Sequence, residues 1–475
     1  MTSVRRPPAP RVVIVGGGLA GLAAASQLVD RGLEITLLES RPRLGGRASS
    51  FIDPATGELV DNCQHVSMAC CTNLADFRAR VGVADLMRRT PEIVFLDTAG
   101  RVSRFRAGIL PAPFHLAGSF LKARFLSLLD KLAIARGLAA LARPLASPPG
   151  ETFAQWLARH GQTPRAIAFF WAPVLVSALN EELERMDVGH ARKVFVDGFL
   201  RNREAFEPEI PTVPLGDLFG TRLERWLANN EVMVRFTTGA RSIEIDGEGG
   251  LVGVTTRPGE LVPADFVILA TPFNRVGDLI PAELRDRIWA VEAAAALEAS
   301  PITGIHLWFD RPVCPFDHVV TPGRLIQWVF NHTAIQGRSA PGSDQGEYLQ
   351  IVVSASYELV RLDKAAVLER ILEDLAAIWP ESRSAALLRS WVVTEHGATF
   401  AVRPGVDYDR PRQRTAIDGL FLAGDWTATG WPATMEGAVR SGYLAAEGIL
   451  QDLDQPTRLI RPDLPTRWLA RWLLE

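Results

Sequence analysis

At 475 residues the chain exceeds the roughly 250–300 at which one hydrophobic core stops growing, so two or more domains and room for a large buried cofactor are expected. With 47% hydrophobic and 22% charged residues and no low-complexity tract, it has the composition of a globular protein and not of a disordered one. A net charge of -3 argues against a dedicated nucleic-acid binder.

The first elements are the most informative. Residues 12–29 form an uncharged run behind Arg5, Arg6 and Arg11, as a signal peptide or membrane span would. The glycines inside that run decide against both. Residues 11–15 (RVVIV) read as a β-branched strand, 19–29 as a small-residue helix and 33–38 (LEITLL) as a second strand, which makes a βαβ unit. Gly16-x-Gly18-x-x-Gly21 lies between strand and helix. Gly16 permits the tight turn, Gly18 lets backbone approach a pyrophosphate, and Gly21 allows helix and strand to pack closely. The phosphates would sit on the helix N-terminus, beside Leu19 and Ala20, where free N–H groups favour anions. Glu39 closes the second strand, at the place where a carboxylate accepts hydrogen bonds from ribose hydroxyls. Ser40 and Arg41 extend the site, and Gly45-Gly46-Arg47 adds two positions of close backbone approach and a guanidinium fork suited to phosphate.

Further along, Asp61-Asn62-Cys63-Gln64-His65-Val66 brings two titratable side chains, Asp61 and His65, close together. Eight Lys or Arg against a single acid, Asp130, mark residues 101–143. Within them Leu121, Phe125, Leu128 and Leu132 recur at helical spacing beside Lys122, Arg124, Lys131 and Arg136, a basic amphipathic region at 116–143. Residues 166–180 are uncharged but too short to span a bilayer, and Pro173 interrupts them. Their Phe169, Phe170 and Trp171, with the later Trp328, either line an apolar tunnel or are plain core. Strand signals follow at 232–245, broken by Thr237-Thr238-Gly239, and at 251–256, 264–270, 304–309, 348–354 and 420–423. The last strand stops at Gly424-Asp425, and Pro432-Ala433-Thr434-Met435 with Ala438 opens a helix whose first-turn N–H groups favour a partner carrying negative charge. Trp468, Leu469, Trp472 and Leu473 between Arg467 and Arg471 form an amphipathic tail. Cys63, Cys70, Cys71 and Cys314 make no CxxC pair, so no metal site is expected and reduced thiols suit a cytoplasmic protein.

Together these pieces predict an α/β fold. A discontinuous Rossmann-like dinucleotide domain (1–83, 208–278 and 405–452) holds an inserted substrate domain (84–207, helix-rich, and 279–404, mixed strands), and 453–475 forms the tail.

Glu39-x-x-x-x-x-Gly45-Gly46-Arg47 and the segment 424–438 resemble the flavin amine oxidase and phytoene desaturase superfamily, which implies FAD as cofactor. The amine oxidases of that group typically show W-x-G-Y-M-E-G-A where this chain has Trp431-Pro432-Ala433-Thr434-Met435-Glu436-Gly437-Ala438. Thr434 thus replaces a wall of the amine cage, although Trp426 and Trp431 keep stacking open. Residues 61–66, 110–113, 170–173, 178–180, 398–400 and above all 423–434 are similar to the hydroxysqualene dehydroxylases of bacterial squalene and hopanoid synthesis, with Cys63 in place of the commoner glycine.

That resemblance implies reductive loss of an allylic hydroxyl from a C30 isoprenoid. Asp61 or His65 would then be the acid or proton relay, Phe170, Trp171, Trp328 and Trp431 the substrate pocket, and an unidentified donor the source of electrons for FAD. A lipid substrate also implies contact with the inner face of the cytoplasmic membrane, through 116–143, the tail, or both. The bland reading of the same residues is that Asp61 caps a turn and His65 packs or hydrogen-bonds to backbone. An oxidative carotenoid-type desaturase, a flavin amine oxidase and a prenyl-binding carrier on the same scaffold remain alternatives.

Overall fold

The computed structural model describes residues 9–54, 56–143, 147–285, 288–338 and 346–474, so Arg5, Arg6 and the last residue of the tail lie outside the described residues. Five parallel strands form the first sheet, in the order Met233–Arg235, Glu34–Leu38, Arg11–Val15, Phe266–Leu269, Leu420–Leu422. Their central members are continuous apolar runs because both faces are covered. The helix Leu19–Leu28 is buried at all ten positions. It packs on Ile14 through Gly21 and crosses helix Met435–Asp452 at Gly442. The two ends of the chain therefore meet within one domain, while Ala240–Ile245, Leu251–Thr256 and Leu261–Pro263 form a small antiparallel sheet beside it.

The second large sheet runs Leu387–Phe400, Ala299–Phe309, Glu347–Ser354, Trp328–Asn331, His318–Val320, Glu92–Leu96, Val102–Arg106. Glu92–Leu96 pairs in parallel with His318–Val320, so residues from 84–207 and from 279–404 contribute to a single sheet. Strands at 87–106 correct the reading of 84–207 as helical at its start. Their signal was present: in Val102–Arg106 the side chains alternate between solvent and core. Pro208–Pro211 pairs with Ser67–Met68 and Met87–Arg89 in a small three-stranded sheet.

Two further expectations change. Pro173 does not end its helix, which runs through Pro164–Ala166, a π-turn at Ile167–Trp171 and Ala172–Leu179. The wider turn absorbs the missing N–H and the ring of the proline. Residues 116–143 are not one helix but two, Ala117–Lys122 and Leu128–Ala142, the second capped reciprocally by Ser127 and Asp130. Phe125 in the break turns into the core, whereas Leu121, Leu128 and Leu132 are 64%, 70% and 48% exposed. The tail helix Trp468–Leu474 buries Ala470 and Leu474 in one apolar cluster with Ala112, Ala142 and Val196, and leaves Trp468 and Trp472 exposed. Among the described residues no helix is long and apolar enough to cross a membrane.

A Cβ on Gly442 would lie 2.2 Å from the Ala20 carbonyl oxygen. Gly442→Ala should therefore force the two helices apart, costing about 1–3 kcal/mol. A lowered melting temperature and reduced flavin content are expected, and a variant with both unchanged would refute this close packing.

Candidate active site

A single cavity of about 1060 Å³ runs from the end of the first sheet to the face of the second. At one end the backbone does the work. Gly16 adopts φ +112°, and a Cβ there would stand 2.5 Å from the Ala270 carbonyl oxygen. Gly46, at φ +61°, brings its loop so close that a Cβ would meet the Gly18 Cα at 2.9 Å, and the Gly45 N–H donates to the Gly17 carbonyl at 2.9 Å. Helix Leu19–Leu28 begins with no side-chain cap, so its first N–H groups open onto this cavity. Glu39 is buried, accepting from the Gly17 N–H at 2.8 Å and the Arg41 N–H at 2.8 Å, and its carboxylate borders the cavity. The residues fit a dinucleotide: a bare helix N-terminus for the pyrophosphate, a clamped carboxylate for the ribose, and loops that only glycine permits.

Gly18, Leu19, Ala20, Ser40, Arg41, Gly45 and Arg47 line the same space, and from the other end of the chain so do Gly424, Asp425, Pro432, Ala433, Thr434, Met435 and Ala438. Gly21 stays behind them as a packing position. Arg47 bridges the two sets, donating to Asp425 Oδ1 at 2.6 Å and to the Ala398 carbonyl at 2.5 Å. Burial lowers the pKa of its guanidinium, but the Asp425 and Glu395 carboxylates together raise it above the usual value, so the guanidinium stays charged. Arg410, itself buried, donates to the carbonyls of Asp425 and Thr427 and holds that loop. Helix Met435–Asp452 starts later than expected. Thr434 is its N-cap, accepting from the Gly437 N–H, and Pro432 stands ahead of the first turn. Trp426 is not available for stacking, being fully buried and donating to the Thr271 carbonyl at 2.9 Å.

The chemistry-bearing residues separate. His65 borders the cavity; its Nδ1 lies 2.9 Å from the Cys63 carbonyl and must donate there, which leaves Nε2 free, and burial lowers its pKa so that the ring is neutral. Asp61 is a correction. It turns away from the cavity and is 1% exposed, its Oδ1 accepting from Ser50 Oγ at 2.5 Å and the Leu215 N–H at 2.9 Å. It ties the segments of Ser50 and Leu215 together through Oδ1, and its buried Oδ2 has no hydrogen-bond partner. Phe170 and Trp171 are a second correction. Trp171 is fully buried and donates to Gln162 Oε1, Phe170 packs on Phe120 and Phe195, and neither borders the cavity. The extra residue in the π-turn rotates them off the face on which Pro173, Val174, Ser177 and Ala178 look into the cavity. Phe169 lies against Phe125 and Arg165 instead. Trp328 and Trp431 do border the cavity, Trp328 anchored by a 3.0 Å hydrogen bond to Ser177.

Three groups escaped sequence reasoning. Glu436 is fully buried and accepts from the N–H groups of Asn73 and Leu74, capping helix Thr72–Arg80 from across the chain. Asn180, at φ +53°, donates to Thr399 Oγ1 and the Ser300 carbonyl and accepts from the Ala355 N–H. Thr238, Gly239, Ala240 and Arg241 border the cavity beside Glu39, where the sequence offered only a strand break. The Gly239 interruption was the available signal for the last group; the first two depend on contacts more than a hundred residues apart.

The sequence pattern described as "Flavin containing amine oxidoreductase" matches residues 19–450. The chain belongs to this family. As a flavin-containing amine oxidoreductase family member it is a flavin-dependent oxidoreductase whose cofactor is FAD. It is similar to the 15-cis-phytoene desaturase of Narcissus pseudonarcissus, at 27% identity over 95% of this chain and 82% of the relative. It is equally similar to the probable zeta-carotene desaturase of Synechococcus elongatus, at 27% over 93% and 98%. Among solved structures, an oxidoreductase from Methanosarcina mazei superposes with a TM-score of 0.70 at 18% identity, covering 93% of this chain and all of the other. Putrescine oxidase bound to putrescine gives 0.63 at 18%, over 93% and 99%. These likenesses establish the fold.

Burial raises the Asp61 pKa from 3.8 to about 6. A carboxyl with a raised pKa favours the fold while protonated, and that contribution is lost as pH rises through about 6. Asp61→Asn should therefore keep its flavin and melt a few degrees above wild type at pH 8, with the gap closing below pH 5. A variant that instead melts lower at pH 8 would show that the ionised carboxylate is the stabilising form.

Proposed function

We propose that the protein removes an allylic hydroxyl reductively from a C30 isoprenoid, converting hydroxysqualene to squalene at a lipid surface. The observation that carries this reading is the cavity's composition. Beyond the dinucleotide cradle it is walled by Phe95, Val320, Trp328, Phe330 and Val352, a lining suited to a long hydrocarbon. Two further features support it. Thr434, where an amine cage would need a ring, spends its hydroxyl capping a helix, and the curated relatives are named for desaturation of isoprenoids.

In such a reaction the C–O bond breaks, a C–H bond forms, the oxygen leaves as water, and one hydride and one proton are consumed. Bound FAD in its reduced form would supply the hydride. The chain's own residues hold the dinucleotide, exclude water and orient the chain. His65, neutral and with only Nε2 free, suits passing a proton on better than storing one.

The exposed Leu121, Leu128, Leu129, Trp468 and Trp472, flanked by Lys122, Lys131, Arg467 and Arg471, suit docking on an anionic bilayer. The tail helix packs on Ala112 and Ala142, which puts both amphipathic elements at one side of the molecule. Trp468→Asp with Trp472→Asp should reduce cosedimentation with anionic vesicles several-fold while leaving flavin content intact.

The relatives' names favour a second reading, hydride removal from a carotenoid-type polyene. Anaerobic mixing of the reduced protein with hydroxysqualene distinguishes the two. Flavin reoxidation in step with squalene, read by mass spectrometry, is expected. No squalene, with flavin instead reduced when phytoene meets the oxidised protein, would establish the second reading.

A further inference from the structure

One stretch of the cavity wall carries an ion pair. Helix Val188–Phe195 and the π-turn Val196–Leu200 carry Lys193 and Asp197 there one turn apart, with Lys193 Nζ 2.9 Å from Asp197 Oδ2. The same ammonium lies 4.6 Å from the centre of the Trp431 ring. Arg440, itself fixed by Glu436 and Asp463, stacks on that ring at 4.9 Å, so the indole is held in place. Trp431 borders the cavity and is only 8% exposed, yet its Nε1 has no hydrogen-bond partner. Asp197 takes one of the three N–H donors of Lys193, leaving others for the cavity, and its Oδ1 accepts from Arg201 at 2.7 Å, so each carboxylate oxygen keeps a lone pair beyond its one bond.

We infer that Trp431, Lys193 and Asp197 form the binding site for a hydroxyl oxygen on the substrate. The arrangement offers an ammonium donor, seated over the Trp431 ring, beside a carboxylate acceptor. An alcohol oxygen accepts from Lys193, and its own proton goes to Asp197. A ketone or quinone oxygen accepts but returns nothing to the carboxylate. A pure hydrocarbon gives neither group a further partner, the costly outcome for polar groups out of water. The inference rests on the reading of the substrate as an isoprenoid alcohol and assigns the residues that hold its hydroxyl.

The test is equilibrium binding to the oxidised holoprotein, read from the flavin absorbance perturbation, with hydroxysqualene, squalene and a short-tailed ubiquinone as probes. Wild type is compared with Lys193→Met, Lys193→Gln and Trp431→Phe, each first checked for full FAD content. Because Lys193 lies off the flavin loop, its two variants preserve the test if Trp431→Phe loses cofactor. Wild type should bind the alcohol about ten-fold or more tighter than squalene. The variants should lose that preference without weakening squalene. If wild type binds both equally and the variants change nothing, the hydroxyl site is overturned while the isoprenoid reading stands. If only quinone binding responds to the variants, the ion pair belongs to an electron donor's oxygen and the assignment is overturned. If wild type binds neither isoprenoid, the underlying reading fails and the hydroxyl site with it.

Discussion

The bare N-terminus of helix Leu19–Leu28 is the constraint on which the rest of the molecule depends. Its first N–H groups are buried at the end of a parallel sheet with no side chain to accept from them, and their summed dipole points into the cavity. Such an end favours an anion in front of it, and the neighbouring segments leave room for one to approach. The Gly46 loop lies against Gly18, Gly16 folds under Ala270, and Gly442 lets the flavin-side helix lie on Ala20. A side chain at any of these positions would hold the backbones apart.

From that point the fold passes order to the substrate sheet along named contacts. Asp425 holds Arg47, Arg47 holds the Ala398 carbonyl, and the adjacent Thr399 accepts from Asn180. Asn180 in turn fastens Ser300 and Ala355. Asn180 and Ala355 both sit at positive φ, +53° and +48°, a cost that the surrounding hydrogen bonds offset. The helical wall of the cavity is thereby registered against the dinucleotide cradle by hydrogen bonds, whereas the apolar lining is free to fit a flexible chain. Rigid placement is concentrated where charge sits, and shape alone governs the remainder.

The cradle was legible in the sequence because it is local chemistry. Gly16, Gly18, Gly21, Glu39 and Gly45-Gly46-Arg47 lie within about thirty residues, and each answers a backbone requirement that few other residues meet. The two-sheet organisation was legible from strand runs separated by turn residues. The substrate wall was not. Phe170 and Trp171 lie in an apolar run whose outward face depends on a π-turn that no periodicity announces, and a one-residue shift sends both rings into the core. Asp61 was equally opaque: its partners, Ser50 and Leu215, lie 11 and 154 residues away, and only the tertiary fold shows that they consume its oxygen. The break at 123–127 hid the fact that Phe125 and its helical-spacing neighbours face opposite ways.

A crystal structure of the FAD-loaded protein grown with an isoprenoid alcohol tests most directly whether one cavity serves cofactor and substrate together. The expected density is a pyrophosphate against the N–H groups of Leu19 and Ala20 and a continuous apolar chain passing Trp328 and Phe330. Density for the chain outside this cavity, or a wall of protein between it and the flavin, would contradict a shared site.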